Sequence, residues 1–198
     1  PNAKKIIKQL PLYWGSQPIT SGPTYVGSIV VFLFVLGLFI VKGRFKYWIL
    51  FATVLSILLA WGKNFMFLTD LFLDYFPAYN KFRAVSMILV VAEFTIPLLA
   101  IMALDTALKF KKDSKLIIEN KLKYSYYIVG GFCLVLALLP SLAGDFSGMQ
   151  DQTLQANGFP IDAIVEDRKT LLSSDAFRSF VFITISFILI LVFLRVQN

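Results

Sequence analysis

A chain of 198 residues that is 58% hydrophobic and only 16% charged is too apolar for an ordinary soluble domain. Its formal charge of +7 comes with no nucleic-acid-binding motif, and it has no histidine, the usual metal ligand and neutral-pH base. Its single cysteine, Cys133, excludes an internal disulfide and reads as a small core hydrophobe among Phe132, Leu134 and Val135.

This composition predicts an all-α integral membrane protein. Crossing a hydrocarbon core of about 30 Å takes roughly 17 to 25 apolar residues in a helix. Residues 1–23 precede the first such run and read as an outer loop, because Pro11, Pro18, Gly22 and Pro23 break any helix there, while Tyr13, Trp14 and Tyr25 suit the headgroup level. Five runs are expected to span: 24–41, 47–62, 84–104, 126–143 and 180–194. The second and last are short, so their ends must extend or the bilayer must thin.

Residues 63–83 form an outer interfacial segment. Asp70 and Asp74 lie four apart, on one face of a short helix that Pro77 ends. Asn80, Lys81 and Arg83 then stand at the mouth of the third span, within reach of headgroup phosphates. A guanidinium there can form a two-pronged pair with phosphate, and Lys81 adds a point charge. The bland alternative is that both cations are snorkelling anchors. Glu93 lies roughly 14 Å further along the helix, near the midplane. Lipid solvates a carboxylate there poorly, so Glu93 is expected to face the bundle interior or a wet cavity, or to be protonated. Pro97 cannot donate to the carbonyl of residue 93, a further sign of a cavity. An interhelical hydrogen bond and a role in ligand or proton handling both remain open for it.

Residues 105–125 read as a basic cytoplasmic loop, opened by Asp105 as a boundary charge, in which Lys109, Lys111, Lys112, Lys115, Lys121 and Lys123 outnumber Asp113 and Glu119. Residues 144–179 read as an outer loop that opens polar and continues from Pro160 as an amphipathic helix with Ile161, Ile164, Val165, Leu171 and Leu172 on one face. That helix is expected to break near Ser173 and Ser174, one of which would cap the final span. Lys42, Arg44, Lys46, the six lysines of the basic loop and Arg195 are ten of the 19 basic residues, and they crowd into short connections. The positive-inside rule therefore makes those connections cytoplasmic, with 1–23, 63–83 and 144–179 outside. Lys4, Lys5 and Lys8 pull mildly the other way. The chain opens on Pro1 and stops three residues after Arg195, which suggests a piece of a longer protein.

The phrases "GPTYVG", "AWGKN", "LFLDYFPAYNKFRAVSM" and "DRKTLLSSDAFRSFVFI" resemble the YfhO family of bacterial multispanning membrane proteins, over nearly the whole chain. That family is longer, so the resemblance implies an interior part of a GT-C-like bundle in the bacterial cytoplasmic (inner) membrane. It implies a glycosyltransferase-like protein of cell-envelope glycosylation, with a polyprenyl-phosphate sugar as donor and no other cofactor. Tyr25, Gly27, Pro77, Phe82 and Arg83 match the family pattern without an assigned catalytic role, and the early outer loop that carries the family's acidic residue is not in this chain. On this reading Arg83, Lys81 and Asn80 hold the carrier phosphate, and Asp70 or Asp74 orients an acceptor hydroxyl. The partners expected are membrane lipids and the remaining helices of the longer protein, not nucleic acid. Two rivals stand beside it: a transporter or flippase coupled through Glu93, and a non-catalytic assembly subunit.

Overall fold

The computed structural model describes residues 14–15, 24–77, 79, 85–109, 114–148 and 150–196. Its elements are α1 (Ser28–Ile40), α2 (Phe45–Ala60), α3 (Met66–Tyr75), α4 (Leu89–Leu108), α5 (Lys115–Leu138), α6 (Asp151–Ala156) and α7 (Ile161–Val196), with short 3-10 turns at Gly62–Phe65, Val85–Ile88 and Pro140–Ala143. No strand occurs among the described residues, only one isolated bridge between Gly15 and Gly148. Two compact units are present, residues 24–130 with 182–198 and residues 1–23 with 131–181; α5 and α7 contribute to both.

Among the described residues three helical stretches are long and apolar enough to cross a membrane: Ser86–Leu108, Lys115–Leu138 and Ile161–Val196. A fourth candidate is the pair Phe45–Ala60 and Gly62–Tyr75, bent by 110° at the break. Against the expected five spans, the described residues thus give three by length and composition, or four with the bent pair. The first expected span yields only a 13-residue helix, Ser28–Ile40, about 20 Å long and short of a hydrocarbon core.

In the first unit α1 and α2 both pack along α4. The reason is the side-chain size on α4: Ala92, Thr95, Ala100, Ala103 and Ala107 are buried and let neighbouring backbones approach. The approach is tightest at Gly37, where a Cβ would lie 2.8 Å from Leu99 Cγ and 2.9 Å from the Leu99 carbonyl oxygen. Only glycine fits there. On the other side Thr53 Oγ1 and Thr95 Oγ1 lie 2.7 Å apart, and each hydroxyl is also 2.8 Å from a carbonyl of its own helix, Ile49 and Val91 respectively. Ser125, fully buried on α5, donates to the Phe32 carbonyl of α1 at 2.9 Å. Tyr126 stacks on Phe187 of α7 at 4.5 Å and meets Thr184 Oγ1 at 3.1 Å.

Two further expectations need correction. Residues 105–125 are not one loop: α4 continues to Leu108 and α5 already begins at Lys115. A buried stripe at Ile118, Leu122, Ser125 and Val129, spaced at three and four residues, explains the early start. The amphipathic helix after Pro160 does not break at Ser173 and Ser174 but runs unbroken from Ile161 to Val196. The Ser173 hydroxyl donates instead to the Ala137 carbonyl at 2.6 Å, one of the last carbonyls of α5, which have no partner within their own helix.

Candidate functional site

The 110° turn after α2 places the first candidate residues. Gly62 takes φ +48°, a left-handed conformation that favours glycine, and its carbonyl accepts a hydrogen bond from the buried Thr69 hydroxyl at 3.1 Å. That bond ties α3 back to the bend. α3 then presents Asp70 and Asp74 to its exposed side. Beyond it Phe72 stacks on Phe76 at 4.8 Å and meets the Tyr79 ring at 5.5 Å, which closes the helix end just before Pro77 breaks it. Burial against these rings pushes the Tyr79 phenol above its usual range. Asn80, Lys81 and Arg83 lie outside the described residues, as does Phe82. Tyr25 is exposed, and Gly27 takes φ +92° immediately before α1.

Glu93 differs from expectation. It is exposed on α4 and makes no hydrogen bond or ion pair among the described residues, where an inward position was expected. The inward stripe of α4 is set by its alanines and Thr95, and at about 100° per residue Glu93 falls roughly a quarter turn away from that stripe. Met87, Val90, Phe94 and Ile101 occupy the outward face beside it. Pro97 is inside α4, as its place in the apolar run implied.

In the second unit the structure assembles a cluster that sequence reading did not single out. Arg168 is fully buried, and its guanidinium grips Asp151 with two prongs, Nη2 to Oδ1 at 2.8 Å and Nη1 to Oδ2 at 2.9 Å. Nη1 also donates to the Phe146 carbonyl at 2.8 Å, while Asp151 Oδ2 accepts the Gly148 amide at 2.7 Å. Phe146 holds φ +59°, an unusual backbone for a bulky residue, and this aims its carbonyl at Arg168. Its buried ring lies 5.1 Å from Trp14, and the Gly15 amide donates to the Ser147 carbonyl at 3.0 Å. The arginine's hydrogen bonds hold the Asp151 carboxyl below the usual carboxylate range; burial opposes this and the Gly148 amide reinforces it. Asp145, fully exposed, is lowered as well by the Ser147 amide and hydroxyl.

With its charges paired, the Arg168 cluster works as a structural clasp rather than a reaction centre. No signal short of the fold could have found it, because Asp151 and Arg168 belong to different helices with no spacing rule between them. Asp70 and Asp74 of α3 and Glu93 of α4 stand exposed, outside this clasp. Among the described residues no three of His, Cys, Asp and Glu converge into a metal site. No known family, curated protein or solved structure matches the chain.

Proposed function

We propose that the chain is part of a multispanning membrane protein that binds a lipid-linked sugar phosphate where α3 turns aside and α4 begins. In this reading the whole protein is a GT-C-like glycosyltransferase of the bacterial cell envelope. The observation that carries it is the 110° bend that gives two exposed carboxylates, Asp70 and Asp74, their own helix immediately before the cationic phrase Asn80, Lys81 and Arg83. The resemblance to the YfhO family supports the same substrate class. Arg83 would grip the carrier phosphate, with Lys81 adding charge and Asn80 a donor. Asp70 or Asp74 would orient an acceptor hydroxyl, and would serve as its base only with a raised basicity.

The test is transfer of radiolabelled sugar from a polyprenyl-phosphate donor by membranes containing the full-length protein. Transfer that is lost on Arg83→Ala supports the reading. Absence of both transfer and donor binding overturns it.

Glu93 favours a second reading, a transporter that moves such a lipid. In that reading Glu93, a carboxylate within a 23-residue apolar stretch and one turn from Pro97, would be the coupling site. Proton-dependent uptake into liposomes that disappears in Glu93→Gln would select it over the enzyme.

A further inference from the structure

The far end of α4 carries a second feature. The turn between α1 and α2, the last residues of α4 and the first of α5 enclose a cleft of about 690 Å³, into which Lys42, Lys46 and Lys109 project beside Tyr47 and Ser114. Charge does not cancel there. Lys109 is neutralised by Asp105 at 2.6 Å. Lys46 Nζ donates to the Leu38 carbonyl at 2.7 Å, which uses one of its three protons and none of its charge. Lys42 is exposed and has no ion pair among the described residues. Among the described residues the cleft therefore holds two positive charges with no carboxylate partner, Lys42 and Lys46, and Lys121 Nζ lies 5.6 Å from the Phe39 ring that lines it.

Its walls are apolar. Phe39 and Ile117 line the cleft and remain 39% and 61% exposed, so a ligand with a hydrocarbon tail would find partners for both ends. Depth points the same way. The 23 residues of Ser86–Leu108 extend about 35 Å, close to the thickness of a hydrocarbon core, so the lysines at its end stand at headgroup level. A soluble phosphate ester would satisfy the lysines but leave Phe39 and Ile117 uncovered.

We propose that this cleft is a binding site for the phosphate of an anionic lipid, held by Lys42 and Lys46, with the acyl chains against Phe39 and Ile117. The site lies at the opposite end of α4 from the proposed sugar-phosphate rim and does not depend on sugar transfer. A bound lipid would bridge the α1–α2 turn and the start of α5.

The experiment uses the purified full chain in nanodiscs of phosphatidylcholine with a minor fraction of spin-labelled phosphatidylglycerol, reading the immobilised fraction. The wild type is expected to immobilise the anionic lipid preferentially. Lys42→Gln and Lys46→Gln should each weaken this about fivefold, from the roughly 1 kcal/mol that a basic residue contributes near an anionic surface. Gln at 46 keeps a donor for Leu38, and Lys42→Gln alone decides if Lys46→Gln does not fold. Lys169→Gln, on α7, is the control and should leave binding unchanged. Equal binding in all variants, or an equal loss in the control, overturns the site. Displacement by millimolar glycerol phosphate at the same apparent affinity also overturns it, because the ligand would then be a soluble phosphate ester.

Discussion

Arg168 and Asp151 form a two-pronged ion pair at 2.8 and 2.9 Å with the arginine fully buried. Arginine, unlike lysine, matches both carboxylate oxygens at once and still has a donor left for the Phe146 carbonyl. Arg168→Met leaves the Asp151 carboxylate without its cation and is expected to cost about 3 to 5 kcal/mol, the range for breaking a buried pair. Arg168→Lys keeps the charge and should lose only about 1 to 2 kcal/mol. Thermal unfolding of both variants in matched detergent checks the ranking. Equal losses would mean that the fork geometry contributes nothing.

The same pair sets an acid limit. Asp151 has a folded-state pKa below its unfolded value of about 3.9, so its contribution is complete above that value and is lost as pH falls through the folded one. Protection of the Gly148 amide against hydrogen exchange is therefore expected to hold from neutral pH to about pH 4 and to fail below it. In Asp151→Asn this acid-dependent loss should largely disappear. An Asp151→Asn profile identical to the wild type would remove Asp151 from the acid response.

Gly37 is expected to tolerate no larger residue. Gly37→Ala meets both the Leu99 side chain and the Leu99 carbonyl oxygen, and should cost about 1 to 3 kcal/mol as overpacking does. Shortening Leu99 relieves only the side-chain half of the clash, because the backbone oxygen cannot turn away. The double variant Gly37→Ala with Leu99→Ala should thus remain less stable than Leu99→Ala alone, which thermal unfolding would measure.

Arg83→Lys separates a phosphate rim from a membrane anchor. Lysine retains the charge and the reach of a snorkelling chain but loses the fork. Donor-lipid binding is expected to weaken by about 1 to 3 kcal/mol, the scale of a charged hydrogen bond, while expression and insertion stay normal. Equal affinities for wild type and variant in the same detergent would return Arg83 to the role of an anchor.

Much of the helical plan was legible in the residues, for definite reasons. The run beginning at Ala84 became the stretch Ser86–Leu108, Pro160 immediately precedes α7, and the acidic helix stops just before Pro77. What hydropathy missed was interaction between distant parts. Ser173 looked like a helix breaker because its hydroxyl can compete for local backbone, yet it serves the Ala137 carbonyl on another helix. The start of α5 was hidden because its inward stripe includes Ser125, which reads as polar until the Phe32 carbonyl opposite it is seen. Energetics alone point Glu93 to the interior, to a wet cavity or to a protonated state, whereas the small residues along α4 set its buried stripe about a quarter turn away from Glu93. The Arg168 clasp depends on a left-handed Phe146, a backbone state that phenylalanine does not advertise.

The Thr53 and Thr95 hydroxyls share two protons among three short contacts, so one contact always lacks a hydrogen at any instant. Two arrangements keep the bond between the helices: Thr53 donates across while Thr95 donates to Val91, or Thr95 donates across while Thr53 donates to Ile49. The α2–α4 junction is thus degenerate, and flipping the bond direction moves two hydrogens with no shift of a heavy atom. Replacing either threonine by valine would leave the surviving hydroxyl only its own helix carbonyl, so that α2 and α4 would meet at this point through packing alone.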